Sequence, residues 1–338
     1  MEADFELKPT TTYNPTLIRE LLGHSPGPST GDKRTDEAPS AADAGASSDD
    51  NDAEPMRDST PRIRPSGIEE HAAFADELDA HGRDEAARGA FTMARALHEK
   101  AVELRRHLFG ETDPKLVQSL TWLGALSLMQ GQIDEASCLF SQAHAIAVKM
   151  YGREHLRVAV TLNNLGLIAR RQGDLVVAAE RYEQALAVKR QTVGWLHPSV
   201  AATLMSLGNL ARIRGDLHMA MTYYTQARDI YEKTEGGVSS GLAATLVSMA
   251  RVYIRERATD AAIMALERAV RIREAIDVLP VHLAGARALL ARLLRPQWPV
   301  EARRLMRSAL RDYEASPDAS AEYAEALRDA LLDMELAS

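Results

Sequence analysis

Eight side chains stand out for the chemistry that their types and spacing allow: Asn163, Asn164, Arg170 and Arg171, then Asn209 and Arg212, then Arg251 and Arg255. They fall in three stretches of one pattern, TLNNLGLIARR from Thr161, TLMSLGNLARI from Thr203 and TLVSMARVYIR from Thr245. A carboxamide can pair with the main chain of an extended peptide, and a guanidinium group holds a carboxylate through two parallel hydrogen bonds. Chemistry of this kind recognises a partner; it does not turn over a substrate. The competing reading is plainer: charge on a helix surface is commonly only solvated, and an arginine late in a helix answers the helix dipole. One step earlier in the chain the matching stretch is apolar, with Thr121, Trp122, Ala125, Leu128 and Met129 on the equivalent face. Trp122 there is either an anchor for an apolar partner or part of a core.

Motifs of catalysis are missing from the sequence. There is no glycine-rich phosphate loop, no HExxH, no GxSxG and no dinucleotide fingerprint. The histidines are scattered; His98 is expected to be a packed or partly solvated residue within a helix, and His155 and His197 to lie in loops. Cys138 is expected to be a core thiol, with no histidine placed to activate it. No enzyme, no cofactor and no metal site is expected.

The elements that must position the eight side chains come from a repeat, which begins near residue 68. Gly89, Gly131, Gly173 and Gly215 are spaced by 42 residues, and Arg257 takes the next slot. Alanine pairs follow each mark at fixed offsets: Ala94 and Ala101, Ala136 and Ala143, Ala178 and Ala185, Ala220 and Ala227, Ala262 and Ala269. A second series, Gly110, Gly152, Gly194 and Gly236, keeps the same step. Before each mark an apolar stripe such as Leu162, Leu165 and Ala169 predicts a helix, called A here. The marker residue ends helix A with a positive φ, and helix B follows. Helix B packs its alanine pair, and the bulky residue between them (Phe140, Tyr182, Tyr224 or Leu266), against helix A. Gly124, Gly166, Gly208 and Ala250 are small because a neighbouring helix approaches the backbone there, which outweighs a helix penalty of about 1 kcal/mol for glycine.

Such a pair cannot bury its own faces and must stack on its neighbours. The expected fold is an all-α, right-handed superhelical solenoid of about six antiparallel helix-pair repeats. Five clear units cover 75–282, a degenerate unit covers 283–315, and a capping helix covers 321–336. In the degenerate unit the alanine pair, Ala302 and Ala309, comes after a step of 40 residues.

The 42-residue spacing, the LNNLG at Leu162 to Gly166, the G-x-x-HP at Gly194 to Pro198 and the alanine ladder resemble the tetratricopeptide repeats of the kinesin light chain family over roughly 75–282. The resemblance implies a groove that binds peptide segments of partner proteins. Transport is not implied, because residues 1–66 hold no heptad coiled coil of the kind that attaches a kinesin light chain to its motor. Helix A lines the concave side of such a superhelix. The inward residues would be Asn163, Asn164, Leu167, Arg170 and Arg171, then Met205, Ser206, Asn209, Arg212 and Ile213, then Val247, Ser248, Arg251, Ile254 and Arg255. The expected guest is an acidic peptide or a C-terminal carboxylate.

Residues 1–66 differ from the rest. From Ser25 to Gly67 they are mostly Ser, Pro, Gly, Ala and Asp, too poor in apolar surface to offset chain entropy, so a disordered tail is predicted. Thirteen acids against seven bases give this tail a net charge of −6 out of −8 for all 338 residues. Acidity of that kind argues against nucleic acid as a partner, and no apolar run approaches the roughly 20 residues needed to insert into a membrane. A single cysteine and a start of MEADFELK, without secretory or transit features, lead to an expected cytoplasmic location. Within the tail, residues 13–22 form a possible short helix with Leu17, Ile18, Leu21 and Leu22 on one side, either transient, packed on the solenoid end, or a docking motif. The acidic run Asp49 to Glu54 could occupy the arginine groove intramolecularly. The expected function is a non-enzymatic scaffold or adaptor binding peptides in a concave groove; the alternative is a structural subunit or assembly factor of a larger complex.

Overall fold

The computed structural model of the chain describes residues 65–276, 280–315 and 321–336. The tail readings, including the helix at 13–22 and the acidic run, lie outside the described residues. Thirteen α-helices make up the described chain: α1 (Pro65–Ala87), α2 (Phe91–Phe109), α3 (Leu116–Met129), α4 (Ile133–Tyr151), α5 (Leu156–Gln172), α6 (Leu175–Val193), α7 (Pro198–Ile213), α8 (Leu217–Thr234), α9 (Ser240–Arg255), α10 (Thr259–Ala275), α11 (Pro280–Leu294), α12 (Pro299–Glu314) and α13 (Ala321–Leu336). No strand occurs among the described residues.

The turns follow from local chemistry. Gly89, Gly131, Gly173 and Gly215 adopt φ between 77° and 87°, the left-handed region open to glycine at no steric cost. Arg257 does the same job at φ 60°, at a cost of about 1–2 kcal/mol for a residue with a Cβ. After two of these turns an aspartate caps the next helix, Asp174 accepting from Val177 N–H at 3.0 Å and Asp216 from Met219 N–H at 2.9 Å. At the other end of the units, His155, His197 and Ser239 cap α5, α7 and α9 through side-chain acceptors.

Within each unit the two helices meet where a small residue faces a large one. A Cβ added to Gly124 would lie 2.7 Å from the ring of Phe140, and one on Gly166 would lie 2.7 Å from Tyr182. One on Gly208 would lie 2.5 Å from Tyr224, and the unit after that relaxes the demand, with Ala250 and Leu266 in place of glycine and an aromatic ring. In the first unit the pair is Gly82 and His98, with an added Cβ 2.8 Å from the imidazole. The helix approach expected at Gly124, Gly166 and Gly208 therefore involves helix B of the same unit.

The pairs α1/α2, α3/α4, α5/α6, α7/α8, α9/α10 and α11/α12 stack in chain order, and α13 packs on α12. One long apolar core runs from Ala169 to Met334, and a second joins Val102 on α2 to Ala185 on α6. Helices of the A row also meet one another directly, α5 against α7 and α7 against α9, to an extent that the B helices of adjacent units do not match. The A row is thus the shorter, inner side of a curved stack, and the B row is the outer side.

Two tests follow from these contacts. Gly124→Ala should destabilise the chain by about 1–3 kcal/mol through overpacking against Phe140, and adding Phe140→Leu should recover most of that loss by recreating the Ala250–Leu266 pairing, as read from thermal unfolding. Arg257→Gly should raise the melting temperature by relieving the positive φ, with a net gain of about 0.5–1 kcal/mol after the added chain entropy of glycine.

Candidate functional site

The inner helices α3, α5, α7, α9 and α11 contain no aspartate or glutamate. Their charged residues are eight arginines: Arg157, Arg170, Arg171, Arg212, Arg251, Arg255, Arg287 and Arg292. Every outer helix carries acids, from Glu99 and Glu103 on α2 to Glu301, Asp312 and Glu314 on α12. Beyond the acidic first inner helix, α1, the fold therefore keeps acids to the outer row, and the positive row from α5 to α11, with low-dielectric walls, focuses its field into the concavity. Arg287 is turned toward the outer row, where it pairs with Glu274 at 2.7 Å and with Asp312. Arg171 and Arg251 have no carboxylate partner among the described residues.

Electrostatics in the inner row reflect this crowding of like charge. Burial, and then the neighbouring charge of Arg170, lower the pKa of Arg171. Arg251 is exposed, yet the protein around its guanidinium and the charge of Arg212 push its pKa down as well, as expected of a group on the floor of a furrow. Arg273, buried behind it on α10, is lowered to about 10 by burial and by Arg251.

A family model of the tetratricopeptide repeat matches residues 77–149, 121–191 and 199–275. The chain belongs to the tetratricopeptide repeat family. Tetratricopeptide repeats of this kind act as scaffolds for protein interaction, and that general role holds for this chain. No curated protein matches the sequence. Among solved structures, the fold is similar to a Rap protein complexed with Competence and Sporulation Factor, at 18% identity over 76% of this chain and 74% of that chain, with a TM-score of 0.56. It is similar to the APC/C hetero-tetramer Cut9–Hcn1 at 17% identity, over 82% of this chain and 49% of that chain, with a TM-score of 0.51. A putative kinesin light chain with nearly identical repeats from Podosopora anserina aligns at 23% identity, over 62% of this chain and all of that chain, with a TM-score of 0.49.

On this tetratricopeptide scaffold the eight residues singled out by sequence take different depths. Asn163 and Asn164 are buried, at 3% and 0% exposure. Asn209 is half-buried and its Oδ1 accepts the Tyr224 hydroxyl at 2.8 Å. Arg170, Arg171 and Arg212 are half-buried, while Arg251 and Arg255 are exposed. Arg255 Nη1 reaches the carbonyl oxygen of Arg212 at 3.4 Å, which ties α9 to α7. Arg212, Arg251 and Tyr224 act on one another, and Arg171 feels Tyr182 one unit earlier. Trp122 is core: it is 7% exposed and its ring lies parallel to that of His98 at 5.5 Å. Cys138 is exposed rather than in the core, with Gln142 Nε2 donating to its sulfur at 3.2 Å.

Sequence reasoning passed over a further periodic position. Arg105, Ala147, Lys189, Tyr231 and Arg273 recur at the same step in the last turns of successive B helices, and all are buried. Lys189 Nζ donates to Thr203 Oγ1 at 2.8 Å and to the Ser199 carbonyl at 3.2 Å, and Arg273 donates to the carbonyl of His282. In the first unit the joint becomes a network. Arg105 Nη2 donates to Asp76 at 2.7 Å and to Asp79 at 2.9 Å, Ser119 Oγ donates to Asp79 at 2.6 Å, and His98 Nδ1 lies 2.8 Å from Asp79 Oδ1. The signal was available as a spacing, but its residue types differ from unit to unit, which hides it.

Burial alone would raise the pKa of Asp79, but hydrogen bonds from His98, Ser119 and Arg105 outweigh it, so the carboxyl titrates below its ordinary 3.8. A folded value below the unfolded one stabilises the fold above pH 3.8 and loses that stabilisation as the pH falls through the folded value. Asp79→Asn should cost about 3 kcal/mol at pH 7 by leaving Arg105 underpaired in the interior, and should flatten the fall in melting temperature below pH 4 relative to the parent chain.

Proposed function

We propose that this tetratricopeptide repeat protein is a non-enzymatic scaffold that binds acidic peptide segments along its inner face, with Arg170, Arg171, Arg212, Arg251 and Arg255 as the anion-holding groups and Asn163, Asn164 and Asn209 on the same row. The observation that supports this most is the sorting of charge: the five successive inner helices from α3 to α11 carry no acid, and the last four of them carry arginine. A solvated helix surface has no reason to exclude acids from five successive helices of one row while every helix of the other row carries them. Guanidinium forks favour a carboxylate-bearing guest, and the field of the row would speed its capture at low ionic strength. The acidic tail offers the same chemistry in cis, and a tether of this length gives it an effective concentration that a partner must overcome.

The test is a pull-down from the source cell with the full chain, beside a variant carrying Arg171→Glu, Arg212→Glu and Arg251→Glu, both checked for folding by thermal melts. Partners captured by the parent and lost by the variant support the reading. Partners kept by both would transfer the interface to the outer row, and a permanent structural subunit would then be the better description. On the same reading, deletion of residues 1–64 tightens the capture; unchanged affinity would remove the tail from the account.

A further inference from the structure

The last outer helix, α12, carries Arg303, Arg304, Arg307 and Arg311, three of them at steps of four residues that spread over about 12 Å of helix axis. Its buried stripe is Ala302, Met306, Ala309 and Tyr313, so the arginines lie on the side turned away from the core. α13 borders that side and is tied to it. Arg307 Nη2 meets Glu335 at 2.5 Å, Arg328 Nε donates to Glu314 at 3.0 Å, and Arg295 Nη2, in the turn before α12, donates to the Asp333 carbonyl at 3.0 Å. A cavity of about 720 Å³ results, lined by Val300, the four arginines and Glu335.

Glu335 is the one carboxylate among these lining residues, and Arg307 already takes it up. Arg304 meets Glu301 at 3.2 Å across one turn of exposed helix, a pair that water weakens. Arg303 and Arg311 have no carboxylate partner among the described residues. Around the cavity the sign of charge reverses: α13 carries Glu322, Glu325, Asp329, Asp333 and Glu335 against Arg328 alone. An extended polyanion, whether an acidic helix or a nucleic acid strand, would run along those acids when laid on this end of the stack, and the net charge of −8 repels it further. A compact anion seated among the arginines meets Glu335 alone. Linked phosphates concentrate several charges and many acceptor oxygens in a small volume, which guanidinium forks match, and the cavity has the size of a small-molecule site. We infer that it binds a small polyphosphate, with Arg303 and Arg311 as the anchoring groups. The site is separate from the inner row and does not depend on the acidic-peptide reading above.

The experiment is calorimetric titration of the full chain, at matched ionic strength and without divalent cations, with inorganic phosphate, tripolyphosphate, adenosine triphosphate and a hexa-aspartate peptide. Tripolyphosphate should bind about 10-fold more tightly than phosphate. The double variant Arg303→Gln, Arg311→Gln should bring that ratio near one, while Arg251→Gln on the inner row should leave it unchanged. The double variant Arg303→Lys, Arg311→Lys keeps the charge without the forks and should give an intermediate ratio, which protects the test if the glutamine variant melts early. Equal affinity for phosphate and tripolyphosphate, a ratio untouched by the glutamine variant, or a ratio lost in Arg251→Gln would overturn the inference. If hexa-aspartate loses as much affinity as tripolyphosphate in the glutamine variant, the cavity belongs to an acidic protein segment and the inference falls too. Adenosine triphosphate binding more tightly than tripolyphosphate supports it with nucleotides as the source, and equal or weaker binding supports it with the phosphate chain itself.

Discussion

The whole solenoid depends on one contact: the backbone of an inner helix receiving, at a single residue, the large side chain that the same unit's outer helix sends back. Gly82 with His98, Gly124 with Phe140, Gly166 with Tyr182 and Gly208 with Tyr224 fix the distance between the two helices, and the alanine pairs on either side of the ring let the remaining turns close to the same depth. The distance within a unit in turn sets how the next unit sits. Where the ring is replaced by Leu266, the facing residue grows to Ala250, and in the degenerate unit Leu290 and Met306 are both buried. Volume is roughly conserved along the stack while the identity of each partner changes, the expected behaviour of a close-packed interior.

That geometry also explains how charge can be sorted by layer. A helix on the inner row is covered by its own outer helix and by the neighbours on each side, so the few positions left open on it lie within one concavity. An acid among those positions would pair with the nearest arginine and cancel the field. The inner row avoids this from α3 to α11, and Arg287 shows the alternative, because it reaches two outer-row carboxylates and so contributes little to the furrow. Tyr224 links the two roles: its ring sets the helix spacing against Gly208, and its hydroxyl orders Asn209 and Arg212 on the inner face.

Much of this was legible in the sequence, for a physical reason. A repeat restates its constraints at every step, so the marker glycines, the alanine ladder and the small residues at Gly124, Gly166 and Gly208 reinforce one another where a single instance would be ambiguous. The helices and their turns followed from those positions, including the positive φ taken by Arg257 in place of glycine. Two features did not follow. Cys138 lies on an outer helix, where an apolar residue type misled the expectation of burial. The joint residues Arg105, Lys189 and Arg273 went unremarked, because long basic side chains are buried only where other helices supply partners, here acids of the preceding α1 for Arg105 and hydroxyl or carbonyl groups of the following unit for Lys189 and Arg273.

The joint also separates the first unit from the rest. Each later unit has a predecessor whose B helix covers the start of its A helix, whereas α1 packs chiefly on α2. Apolar surface at such an end would be exposed to solvent or to another chain, and a cap with polar character is the general remedy in solenoids. Here the remedy reaches inward: Asp76 and Asp79 on α1 hold Arg105 of α2, and Asp79 reaches Ser119 of α3, so that one carboxylate binds three helices together. Polar contacts of this kind are directional where apolar ones are not, and they fix the register of the first pair on the second. Every inner helix that follows inherits that register, and with it the alignment of the arginine row.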